Sequence, residues 1–126
     1  MSLVTPLNRV LGLGTAKGAA EHWWMQRVTA VALLPLGIWF AVSLLAMPDF
    51  GYASVVAWVE RPLTSILLLL LVAAIGYHSF LGVQVVIEDY ITGKALKVAT
   101  LIASTFGHVG LAIAAVFAVL KIAFGS

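Results

Sequence analysis

Two histidines fall inside long stretches that carry no Asp, Glu, Lys or Arg: His78 within residues 63–87 and His108 within residues 98–120. An ionisable side chain in such a stretch is costly if the stretch lies in lipid, and it marks a functional site by default. A neutral imidazole can coordinate haem iron, relay a proton or hydrogen-bond a neighbouring helix. His78 stands nine residues before the end of its stretch and His108 ten residues after the start of its own. If both stretches are helices joined by a short link, the two rings lie at similar depth. Two histidines at one depth point toward a b-type haem. A proton path through both residues, or plain helix packing, is the alternative.

On a helix, residue i+4 is rotated by about 40° and residue i+11 by about 20°. His78, Gly82, Val85 and Asp89 therefore share one stripe. Gly82 removes side-chain bulk one turn from His78, which leaves room for a flat ring or for a close neighbouring helix. Asp89 lies about 16 Å further along the axis. With Glu88 and Tyr90 it forms an acidic and phenolic cluster where the helix would leave the membrane. Acids at a helix C-terminus oppose the macrodipole, so this pair needs a reason beyond helix stability. Tyr and Asp at that level can donate or relay protons to a quinone carbonyl. Arg27, at the mouth of an earlier apolar stretch, has a guanidinium suited to a lipid phosphate or a cofactor carboxylate. His22 lies beside Glu21, where a solvated pair is the default, and His108 sits among Ser104, Gly107 and Gly110, a small-residue face that suggests close packing.

The elements that must position these groups follow from composition. Of 126 residues, 63% are hydrophobic and 10% charged. A soluble domain carries roughly 25% charged residues. The chain is therefore expected to be an integral membrane protein. Residues 28–47 form a third uncharged stretch, so three runs of 20, 25 and 23 residues are each long enough to span. Within lipid the backbone must satisfy its own hydrogen bonds, which makes each a helix. The first run begins too far along, and is too long, to read as a cleaved signal. The expected fold is a single all-α membrane domain over residues 1–126, with spans at about 28–47, 63–87 and 98–120 and a cytoplasmic arm and interfacial entry over 1–27.

Basic residues near the spans set orientation. Arg9, Lys17, Arg27, Lys94 and Lys97 fall on one side, Arg61 and Lys121 on the other. This predicts a cytoplasmic N-terminus and an outer C-terminus. The first 20 residues, with Pro6, Gly12, Gly14 and Gly18, read as an irregular arm; Trp23 and Trp24 suit the headgroup level. The link from Met47 to Pro62, with Phe50, Tyr52 and Trp58, is expected to lie along the outer interface. There is no cysteine, so disulfides and thiolate metal sites are excluded, and no clustered basic patch of the kind nucleic-acid binding needs. No phosphate loop or Ser–His–Asp arrangement supports hydrolysis or nucleotide chemistry.

The segment His78-Ser79-Phe80-Leu81-Gly82-Val83-Gln84-Val85-Val86-Ile87-Glu88-Asp89-Tyr90 resembles the H-x3-G-x6-D-Y signature of the small hydrophobic anchor subunits of succinate dehydrogenase. The run from Glu21 to Ala30, with its Arg-x-Thr-Ala, is also similar to that family, and the resemblance covers nearly the whole chain. It implies an anchor with no catalytic residue of its own, in the bacterial inner membrane. The implied partners are a second three-helix anchor of cytochrome b type, together with a flavoprotein and an iron–sulfur protein on the cytoplasmic face. The implied cofactors are haem b and a quinone, ubiquinone in preference to menaquinone. By the same resemblance His78 matches the position of an axial haem ligand, with the other ligand supplied by the second anchor. Arg27 matches a basic residue near the haem propionates, Tyr90 the tyrosine that hydrogen-bonds quinone, and Asp89 its acidic neighbour. Enterobacterial members carry His-Asp where this chain has Glu21–His22. His108 matches no family ligand. A fumarate reductase anchor would share these features.

Overall fold

The computed structural model describes residues 16–125, all of whose regular structure is helical. Helix α1 runs Ala16–Leu45, α2 Tyr52–Val59, α3 Pro62–Tyr90 and α4 Lys94–Ala123. The three long helices have 30, 29 and 30 residues. At about 1.5 Å per residue each reaches roughly 45 Å, beyond the ~30 Å hydrocarbon core and into the headgroup layers. All three are long and apolar enough to cross a membrane. Pro35 lies inside α1 without ending it.

The helices are longer than the uncharged runs because charged residues occupy their ends. Glu88 and Asp89 fall in the last turn of α3, and Lys94 opens α4. Helix α1 starts well before residue 28. The expected irregular arm is therefore helical from Ala16 onward, and its earlier part, residues 1–15, lies outside the described residues. The expected interfacial link is also more ordered than its glycine and prolines suggested. Eight of its residues form α2, whose Trp58 ring stacks on Trp39 of α1 at 6.0 Å between centroids and 20° between planes. The Ser65 hydroxyl donates to the Val59 carbonyl and so ties α2 to the first turn of α3. Pro62 opens α3, where its missing N–H costs nothing.

Helix α3 is the centre of the molecule. It packs along α1 on one side and α4 on the other, while no Cα of α1 lies within 8 Å of one in α4 among the described residues. The three long helices thus form a layer, not a closed bundle. Of the five buried hydrophobic residues among those described, Leu68, Leu71, Leu81 and Ile87 belong to α3 and Val59 does not. Helix α4 buries none of its residues. A layer this open leaves most apolar side chains to be covered by lipid or by another polypeptide.

Candidate functional site

Adjacent residues on a helix point about 100° apart, and at the middle of α3 this sends two polar side chains to opposite neighbours. His78 turns to α1, where its Nδ1 lies 3.0 Å from Thr29 Oγ1. Ser79 turns to α4, where its hydroxyl lies 3.1 Å from His108 Nε2. The two histidines are thus at one depth, as the sequence indicates, but they serve different seams.

His108 is committed at both nitrogens. Its Nδ1 lies 2.8 Å from the Ser104 carbonyl, which can only accept, so Nδ1 carries the proton. Nε2 then accepts from Ser79. Phe80 meets the ring edge-on at 5.7 Å. This is a histidine used to join two helices, and no chain of hydrogen bonds connects it to His78 among the described residues. His78 differs: Nε2 makes no hydrogen bond to any described residue.

Toward the end of the α1–α3 seam lies a cleft of about 720 Å³, lined by His22, Trp23, Gln26 and Arg27 of α1 and by Gly82, Gln84, Val85 and Glu88 of α3, among others. Gly82 and Val85 of its α3 wall continue the His78 stripe by one and two turns. His22 Nε2 and Gln26 Oε1 are buried there without a hydrogen-bond partner among the described residues. Buried polar atoms are nearly always paired, so these two, with the Arg27 guanidinium beside them, suit a polar ligand group. Arg27 is held over the Trp23 ring at 5.2 Å, a cation–π contact. A Cβ on Gly82 would meet the Gln26 amide nitrogen at 3.7 Å, so the gap beside His78 is used partly for close approach of α1.

At the end of α3 the two acids separate in role. Glu88 accepts from Gln84 Nε2 at 2.9 Å, and its own backbone carbonyl accepts from Lys97 Nζ at 2.8 Å. A lysine on the last carbonyls offsets the macrodipole, which answers the objection to an acid in this turn. Asp89 and Tyr90 are exposed, with no bonded partner among the described residues, and Tyr90 is 82% exposed. Neither lines the cleft.

The structure therefore brings Arg27 together with Gly82 and Val85 from the His78 stripe. It places Asp89 and Tyr90 at the adjoining helix end and leaves His108 on the other seam. Sequence reading overlooked Thr29, Gln26 and Ser79. A hydroxyl or amide in an apolar helix has to face a partner, and that is the signal that could have found them. Which partner each faces depends on helix register, which one sequence does not contain.

Comparison with known proteins adds to this geometry. The family model for the succinate dehydrogenase/fumarate reductase transmembrane subunit matches residues 1–120. The succinate dehydrogenase hydrophobic membrane anchor subunit of Rickettsia bellii is 38% identical over 90 residues, covering 71% of this chain and 72% of the relative. The protein of the same name from Paracoccus denitrificans is 29% identical over 126 residues, covering 100% of this chain and 97% of the relative. That from Rickettsia conorii is 34% identical over 85 residues, covering 67% and 68%. No solved structure matches at the same stringency.

Proposed function

Since this chain belongs to the family of succinate dehydrogenase membrane anchor subunits, we propose that it helps hold a haem b and build a quinone site for a complex that passes electrons from succinate to quinone. Its partners in this reading are a flavoprotein, an iron–sulfur protein and a second three-helix anchor. The relatives' names favour succinate oxidation over fumarate reduction. The excess of Arg9, Lys17, Arg27, Lys94 and Lys97 on one side favours a cytoplasmic N-terminus in a bacterial inner membrane.

One observation carries the haem assignment. His78, at the head of the H-x3-G-x6-D-Y segment, uses Nδ1 for Thr29 and keeps Nε2 available. In this reading His78 Nε2 and a residue of the second anchor would hold the haem iron. Arg27 holds the propionates from the cleft, where the unpaired His22 Nε2 can donate to such a group. Haem b, when bound, supplies one-electron redox capacity. Tyr90 donates its phenolic proton as a hydrogen bond to a quinone carbonyl, and Asp89 accepts beside it; both are exposed, open to a partner protein that completes the site.

The test uses the assembled complex. His78→Ala is expected to abolish the low-spin haem spectrum, and an unchanged spectrum refutes the ligand assignment. Tyr90→Phe is expected to cut quinone reduction while succinate oxidation by an artificial dye continues. Unaltered quinone reduction refutes the quinone role.

A further inference from the structure

We propose that Thr29 is a positioning residue for His78, fixing the proton on Nδ1 and so presenting the Nε2 lone pair to iron. The inference rests on the haem reading above and goes beyond it, because it assigns a task to a residue on a different helix.

Three acceptors or potential acceptors surround the Thr29 hydroxyl. The Met25 carbonyl lies at 2.8 Å, the Gln26 carbonyl at 3.1 Å and His78 Nδ1 at 3.0 Å. A threonine hydroxyl has one proton and two lone pairs, and a carbonyl oxygen can only accept. The proton is therefore drawn to the two carbonyls within its own helix. In this assignment the lone pair facing α3 accepts, and Nδ1 donates to it. That fixes one neutral tautomer, with hydrogen on Nδ1 and the coordinating lone pair on Nε2. Thr29 is 8% exposed, so water does not compete for this bond.

Partners on the remote nitrogen of a ligating histidine orient the ring and raise its basicity. Elsewhere that partner is often a carboxylate, but an ionised group at this depth in lipid is expensive. A hydroxyl anchored to its own helix backbone supplies a directed lone pair without a charge. It also couples ring orientation to the α1–α3 seam, so the ligand is set before the second anchor arrives.

Valine has the shape of threonine without the hydroxyl, and serine has the hydroxyl without the methyl. The assembled complex carrying Thr29→Val is expected to show a raised haem midpoint potential, because a less basic ligand stabilises ferric iron less. Its low-spin EPR signal should shift, and its haem should be retained about 10–100-fold less tightly in detergent. Thr29→Ser should restore the potential and the signal. A Thr29→Val complex with unaltered potential and EPR, beside a His78→Ala complex that has lost the low-spin spectrum, overturns the positioning role and leaves the haem reading intact. A shift as large in Thr29→Ser as in Thr29→Val also overturns it. Retention of the spectrum in His78→Ala overturns the haem reading itself. If Thr29→Val does not assemble, pulsed EPR on the unmodified complex decides. A hydrogen-bonded proton on the remote nitrogen of His78 is expected, and its absence overturns the proposal.

Discussion

At the α3–α4 seam His108 is bonded through both ring nitrogens, to Ser104 and Ser79; at the α1–α3 seam His78 is bonded through one, to Thr29. The side chains are of the same kind and at the same depth, and each crosses from one helix to the next. The difference is one unsatisfied nitrogen. A ring with both nitrogens paired has spent its chemistry on joining helices. A ring held at one nitrogen is oriented and still able to bind. Depth and residue type alone rank the two histidines as equals, whereas hydrogen-bond accounting separates them.

The widest gap between the seams should appear on removing each imidazole in the assembled complex. His78→Ala is expected to eliminate the low-spin haem signal entirely, and His108→Leu to leave its position and intensity intact. Loss of the signal in both variants would break the comparison. Next in size is Thr29→Val, with its roughly 10–100-fold weaker haem retention; no comparable effect is expected from Ser79→Ala. Gly82→Leu should push the Gln26 amide, and α1 with it, away from α3. The expected outcome is haem loss in proportion to helix displacement, with Gly82→Ala tolerated because its Cβ finds ordinary contact at 3.7 Å. The smallest effect is for Ser79→Ala. An interhelical hydrogen bond in a membrane protein contributes about 0.6 kcal/mol, so unfolding measured in bicelles should move by about that much with the haem spectrum unchanged.

The three spanning helices were legible because runs free of charge mark lipid-crossing segments directly. Their ends were not. Glu88, Asp89 and Lys94 interrupt the apolar pattern but not the helix, since charged side chains at the headgroup level leave backbone hydrogen bonding untouched. Helix α2 was hidden by Gly51 and Pro62, which flank it and do not interrupt it. At the site, His78, Gly82 and Arg27 stood out by type and spacing. Thr29 did not, because one hydroxyl in an apolar helix has no address until the rotation of α1 against α3 is known. The lysine that offsets Glu88, Lys97, was read only as a basic residue of a loop. It lies nine residues along the chain, across a turn whose geometry the pattern does not fix.

That the backbones of α1 and α4 stay more than 8 Å apart among the described residues has a bearing on how relatives of this chain can differ from one another. An adjustment in α1 is answered first by α3, and one in α4 likewise, while the outer helices share side-chain surface where Phe40 lines a groove with His108, Leu111 and Ala115. Correlated substitutions among relatives should therefore be strongest between positions such as 29 with 78 and 79 with 108, and weaker between the outer helices. The central helix is then the shared record of two histories that run largely apart.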